Sequence, residues 1–172
     1  MRSSAAAELP DVTEQSLIDY QRIYHTGIRV PDLQVAMDEL GPVLGVTWAT
    51  PKHVAGQPAW TPADGQQHLD LRFTYSCEGP QHIELLQGPV GSIWDGTVQP
   101  GVHHVGVWSD DVAAETQRFL DAGWTLQLAQ CSPADGFGTY TYVQPPGSAM
   151  LVELVSAAAL PRFEQWWAGG SL

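Results

Sequence analysis

The sequence predicts an α+β protein of two paired βαβββ modules, joined into one curved mixed sheet. Three observations predict it. A short His-x-Gly strand segment occurs twice, each copy is followed by an acidic helix cap, and each half closes on an apolar strand with a glutamate inside it.

The opening segments are His25-Thr-Gly-Ile-Arg-Val-Pro-Asp32 and His104-Val-Gly-Val-Trp-Ser-Asp-Asp111, with His, Gly and Asp at equal offsets. Each reads as a strand ending at an N-cap, because Asp32 and Asp111 can accept hydrogen bonds from the free N–H groups that begin a helix. The helices then cover Leu33–Leu40, stopped by Gly41-Pro42, and Val112–Ala122, stopped by Gly123. In the second, Val112, Phe119 and Leu120 suit a buried stripe, and Glu115, Gln117, Arg118 and Asp121 a wet face. Strands are expected around Gly45–Ala49 and Trp124–Gln130. Two hairpins close the halves, His68–Ser76 with Gln81–Leu86 and Gly138–Val143 with Ala149–Val155. Their last strands are His82-Ile-Glu-Leu-Leu86 and Leu151-Val-Glu-Leu-Val155.

The chain divides accordingly: a polar arm over 1–21 with a short helix at Thr13–Gln21, a first module over 22–88, a Gly/Pro-rich linker over 89–101, a second module over 102–156, and a helical tail over 157–172. A βαβββ unit leaves one sheet face exposed, and two units hide theirs by joining.

An ionised carboxylate inside a half-buried strand is costly, by several kcal/mol or more, unless something compensates it. Glu84 and Glu153 stand at matching places in two such strands, and His25 and His104 at matching places in the opening strands. One such His is ordinarily a core or surface residue, and one such Glu ordinarily faces water; it is the repetition that points to a shared site. A pseudo-twofold relation brings the four together as an N2O2 set for one divalent ion: Zn, Ni, Co, Mn or Fe(II). His103 competes with His104, but strand alternation turns it to the other face, and only His104 has the repeated Gly and Asp.

With 172 residues, 44% of them hydrophobic, the chain can bury a core unaided. A formal net charge of −12 opposes binding to nucleic acid or anionic membrane surfaces. Cys77 and Cys131 form no disulfide framework or thiolate site. The amino-terminal residues do not resemble a signal peptide, and no apolar run is long enough to span a bilayer, so a cytoplasmic protein is expected.

The phrases YHTGIRVPDL, QHIELLQGP, GVHHVGVWSDDV and MLVELVS resemble the vicinal oxygen chelate superfamily of lactoylglutathione lyases, methylmalonyl-CoA epimerases, extradiol dioxygenases and bleomycin- or fosfomycin-resistance proteins. The resemblance covers about residues 22–156 and is nearest to the epimerase-like and lyase-like branches. It implies paired βαβββ modules around a metal-binding cup, with His25, Glu84, His104 and Glu153 in the metal-ligand places. The implied activity is that of an isomerase, epimerase or lyase using metal-stabilised enolate chemistry on a small carbonyl or thioester compound. Glu153 is the first candidate for the base, with Glu84 as its partner; both can instead be permanent ligands, leaving the base to water or another residue. A homodimer is expected. The alternatives are a non-catalytic ligand-sequestering protein and an Fe(II) extradiol-type dioxygenase.

Arg72, His82 and Trp108 are the candidate substrate-binding residues. His82 shares its strand face with Glu84, and Arg72 lies on the facing strand of that hairpin. Trp108 belongs to an aromatic set with Trp48, Trp60, Trp94 and Trp124, of which some belong to the core and an excess around the cup would suit a ring-containing or hydrophobic ligand. Arg22, Arg29 and Arg72 are the cations within the modules available for an anionic group.

Overall fold

The computed structural model describes residues 16–172. The helix expected over Thr13–Gln21 lies partly outside them, and a short 3₁₀ turn, Tyr20–Arg22, is what its end becomes. The first half then runs β1 (Ile23–Arg29), α1 (Leu33–Leu44), β2 (Lys52–Thr61), β3 (Gly65–Tyr75) and β4 (His82–Gln87). The second runs β5 (Gly101–Ser109), α2 (Val112–Asp121), β6 (Thr125–Ala129), β7 (Tyr140–Gln144) and β8 (Leu151–Ser156), and α3 (Leu160–Trp167) follows.

The sheet closes on itself in the order β1-β4-β3-β2-β6-β7-β8-β5. Within each half the opening and closing strands are parallel neighbours, β1 with β4 and β5 with β8. The halves join along an antiparallel β1–β5 seam and through a single β2–β6 register pair, Trp60 with Ala129. Both modules of the site therefore come from one chain.

Both helix caps form as their sequence dictates. Asp32 accepts from the Val35 N–H at 2.9 Å and Asp111 from the Ala114 N–H at 3.0 Å. The helices cover the outside of the sheet, Leu33 and Ala36 against Val30 and Leu85, and Val112 and Phe119 against Val107, Val143 and Leu154.

Two expectations of the first half are corrected. Helix α1 does not stop at Gly41-Pro42 but continues to Leu44 and ends at Gly45, whose φ of 70° is the left-handed turn a glycine tolerates. Gly41 is needed for packing instead: a Cβ there would lie 2.9 Å from the Trp48 indole nitrogen, which donates to the Met37 carbonyl of the same helix. The strand expected at Gly45–Ala49 reduces to one bridge, Trp48 with Ser76. The second strand lies at Lys52–Thr61 and makes a long hairpin with β3. Gly56 and Pro58 speak against a strand there. The register shift between Val54 and Gln57 accommodates Gly56 at a φ of 79°, and Asp70 accepts its N–H at 3.0 Å.

The segment between the halves is packed rather than loose. Trp94 is buried, Asp95 accepts from the Gly91 and Thr97 N–H groups, and a Cβ on Gly96 would strike the Val30 backbone. After β8, α3 docks through Trp166, which is fully buried and donates its indole N–H to the Thr50 carbonyl at 3.0 Å. Among the described residues no helix is long and apolar enough to cross a membrane.

Candidate metal centre

Strand register explains why the repeat carries a glycine. On β1, Gly27 lies between Glu84 of β4 and His104 of β5; on β5, Gly106 lies between Glu153 of β8 and His25 of β1. Each imidazole folds over the glycine of the other half. A Cβ on Gly27 would lie 2.0 Å from His104 Cε1, and one on Gly106 would lie 1.8 Å from His25 Cε1. The glycine two residues after each histidine is therefore the floor on which its counterpart's ring rests.

The two rings meet at their Nε2 atoms, 2.8 Å apart. Glu84 Oε2 stands 3.1 Å from His104 Nε2 and 3.4 Å from His25 Nε2, while Glu153 Oε2 stands 3.2 Å from His25 Nε2 and 3.4 Å from His104 Nε2. The distances repeat under exchange of the halves. One ligand atom from each of the four residues lies within 4.8 Å of the others, and all four residues are buried.

This arrangement fits a divalent ion. Ligand atoms about 2.1 Å from one metal stand roughly 3.0–3.4 Å apart along the edges of an octahedron or tetrahedron, and the four nitrogen–carboxylate distances fall within or close to that range. Glu84 Oε2 is buried and meets no donor in hydrogen-bond geometry. Two buried carboxylates facing each other across two imidazoles call for positive charge between them. Without an ion, protons supply it. Burial opposes charging His104, but Glu153 and Glu84 outweigh that and lift its pKa to about 9. Burial likewise pushes both glutamates up, yet the two imidazoles hold them below the ordinary carboxylate range.

His103 lies beside the cluster rather than across the sheet from it, as alternation had suggested. It is buried, and its Nδ1 is 3.0 Å from His104 Nδ1. The shift in β1–β5 pairing between Gly27 and Ile28 falls next to it. Burial, aided by His104, drives its pKa down to about 3, so it is neutral and able to accept from the His104 ring.

Glu84 and Glu153 also line a cavity of about 400 Å³. Its walls carry Tyr24, Tyr75, Tyr140, Tyr142, Phe73 and Phe163. Tyr75 pairs in register with Glu84, and Tyr142 with Glu153, so two lateral rows, Tyr75–Glu84–Gly27–His104 and Tyr142–Glu153–Gly106–His25, each cross the seam between the halves. Burial raises both phenols well above their ordinary range, leaving them protonated. No local sequence pattern marks these tyrosines. Their signal was the residue facing each glutamate across its hairpin, which is legible only once the register is known.

The three candidate substrate-binding residues are placed elsewhere. Arg72 is exposed on the outer face, in a groove with His53 and Gln87. His82 bonds through Nδ1 to the Ser76 carbonyl at 2.7 Å and is covered by Trp167, the rings 3.7 Å apart. Trp108 stacks on Tyr24 at 3.8 Å within the core. Of Trp48, Trp60, Trp94, Trp108 and Trp124, only Trp94 lines the cavity. Arg22 pairs with Asp110, and Arg29 holds the segment between the halves through Ile93 and Gln99. The cation at the cavity is Arg162, from the tail.

Residues 24–143 match the family model of the Glyoxalase/Bleomycin resistance protein/Dioxygenase superfamily. Among solved structures, a methylmalonyl-CoA epimerase in complex with methylmalonyl-CoA is similar over 80% of this chain and 95% of its own, at 20% identity and a TM-score of 0.55. The methylmalonyl-CoA epimerase of Mycobacterium tuberculosis is similar over 83% and 90%, at 18% identity and 0.55. A hypothetical protein of Bacillus halodurans C-125 is similar over 78% and 92%, at 16% identity and 0.56. At such identities the likeness is one of fold. No curated protein matches the chain.

Proposed function

The chain belongs to the Glyoxalase/Bleomycin resistance protein/Dioxygenase superfamily, and we propose that within it this protein is a divalent-metal-dependent isomerase or epimerase that moves a proton at a carbon next to a carbonyl. The observation that carries this reading is the symmetric, buried His25–Glu84–His104–Glu153 cluster, whose glutamates line an aromatic cup. The superfamily membership and the epimerase-like fold support it.

His25 and His104 through Nε2, and Glu84 and Glu153 through Oε2, would hold the ion. When bound, it supplies Lewis-acid polarisation of a substrate carbonyl oxygen. The chain's own residues do the rest. Each glutamate turns Oε2 toward the imidazoles, which leaves its Oε1 to take a proton. Glu153 removes the proton from the carbon beside the carbonyl, and the C–H electron pair moves toward the carbonyl oxygen. Inversion requires Glu84 to enter the cycle protonated, so that it gives its own proton to the opposite face of that carbon while Glu153 keeps the one it removed, and exchange with solvent resets the pair. Return of the removed proton by Glu153 to a neighbouring atom isomerises the compound. Tyr75 and Tyr142, kept protonated, border these carboxylates, and the aromatic walls limit the entry of water. Elimination of a leaving group from the same charge distribution is the lyase variant of this chemistry.

Metal content of untagged protein, beside the His25→Ala and Glu153→Gln variants, tests the reading. We expect about one divalent ion per chain, sharply weaker retention in His25→Ala, and loss of deuterium exchange at carbonyl α-carbons in Glu153→Gln by about a hundred-fold or more. Failure of zinc, nickel, cobalt and manganese alike to bind would refute it and favour a ligand-sequestering protein. The homodimer is likewise proposed; the cluster does not require it, and a monomeric mass in solution would exclude it.

A further inference from the structure

The cavity contains more information about its ligand than the cluster alone. Its volume of about 400 Å³ lies near the lower end of small-molecule pockets. The walls are mostly aromatic and aliphatic, with Leu71 and Val155 completing the set. Much of the polar lining is already committed. Gln57 donates to the Tyr140 hydroxyl at 2.9 Å, and Gln130 accepts from the Thr139 N–H and hydroxyl at 2.7 and 2.9 Å.

Arg162, the only Lys or Arg lining the cavity, makes no hydrogen bond or ion pair among the described residues. It is brought there by the tail, whose Ala158, Ala159 and Phe163 also line the cavity and whose position is secured by buried Trp166. An apolar body and one anionic group at the rim are what such a lining selects. A coenzyme A or glutathione conjugate presents several anionic groups outside the cup, to a chain of net charge −12 that offers a single arginine there.

Resting on the proposed proton-transfer site, we infer that the cup takes a small monoanionic carbonyl compound with an apolar, ring-sized body. Its carbonyl faces the Glu84–Glu153 end and its anionic group meets Arg162, so that a coenzyme A thioester is not the substrate class.

Equilibrium binding to the full chain, followed by calorimetry and tryptophan quenching, tests this with 4-oxo-4-phenylbutanoate, its methyl ester, the ring-lacking 4-oxopentanoate, and propionyl-CoA. The phenyl acid is expected to bind about ten-fold or more tightly than the ester and the ring-lacking acid, as one charge-assisted hydrogen bond and the buried ring would give. Arg162→Gln is expected to abolish the acid-over-ester preference while leaving ester affinity unchanged. Tighter binding of propionyl-CoA, equal binding of acid and ester by the unaltered protein, equal loss of both in Arg162→Gln, or no binding of any of the four overturns the inference. Metal content of the same samples separates the two readings. Acid preference without a bound ion defeats the proposed reaction and leaves the ligand class standing, and a bound ion without acid preference does the reverse.

Discussion

The glycine floor yields the sharpest prediction. Gly106 has no positive φ, so alanine there suffers no backbone strain, and its effect comes from the methyl group alone. That methyl would lie 1.8 Å from His25 Cε1 and 2.1 Å from its Nδ1, whereas ordinary contact begins near 3.4 Å. The ring would have to retreat by more than an ångström, away from the 2.8 Å contact with His104 and from both glutamates. Overpacking of this kind costs about 1–3 kcal/mol. Displacing one of four ligands should also lower metal affinity by about ten- to a hundred-fold, at least as much as losing an outer-shell support. The assay is a double-mutant cycle by urea unfolding and metal titration. In a His25→Ala background the clash has no partner, so Gly106→Ala should be nearly neutral or slightly stabilising. Gly27→Ala should behave likewise with His104→Ala. The crossed pair, Gly106→Ala with His104→Ala, should retain the cost. Equal cost of Gly106→Ala in both the wild-type and His25→Ala backgrounds would refute the glycine floor.

Further predictions concern pH and the framework. His104 holds its proton to about pH 9 in the folded, ion-free protein against 6.5 for an ordinary histidine. Its contribution to stability is therefore complete below about pH 6.5 and lost as pH rises through 9. His103, lowered to about 3, acts with the opposite sign: stability falls as pH drops from 6.5 toward 3, because only the unfolded chain takes up that proton. A bound ion would replace the proton on His104, so Tm should decline between pH 7 and 9.5 in chelator-treated protein and stay level in zinc-loaded protein; parallel profiles would contradict this. Trp166→Ala should cost about 3–5 kcal/mol by emptying a fully buried site, release the tail and weaken ligand binding; calorimetry finding less than about 1 kcal/mol would oppose the docked-tail reading. Asp111→Ala should cost about 1 kcal/mol through loss of the α2 cap, with metal affinity unchanged; an equal loss of metal would mean that the cap also positions the site.

The repeat of His, Gly and Asp, and of Glu in the closing strand, was legible because each is a short local pattern whose meaning is carried by offset. A cap lies next to its helix, and a ligand strand announces itself by one charge among apolar residues. The amino-acid order thus determined the paired modules and the four residues that now meet. Other features depended on partners far away in the chain. The role of each glycine became visible only when β1 and β5 were set in antiparallel register, since the ring it accommodates belongs to the opposite half. The tyrosines of the cup, and the removal of Arg72 from it, followed from the face each β3 and β7 residue presents once the sheet closes. Strand periodicity defines two faces without saying which becomes the inside. Gly56 and Pro58 concealed β2, because local propensity could not anticipate the irregular pairing that accommodates them. A helical tail whose tryptophans pack was legible, but that Trp166 would find its buried site beside Thr50 and so carry Arg162 to the cavity was not, because such packing is a property of the assembled surface rather than of any segment.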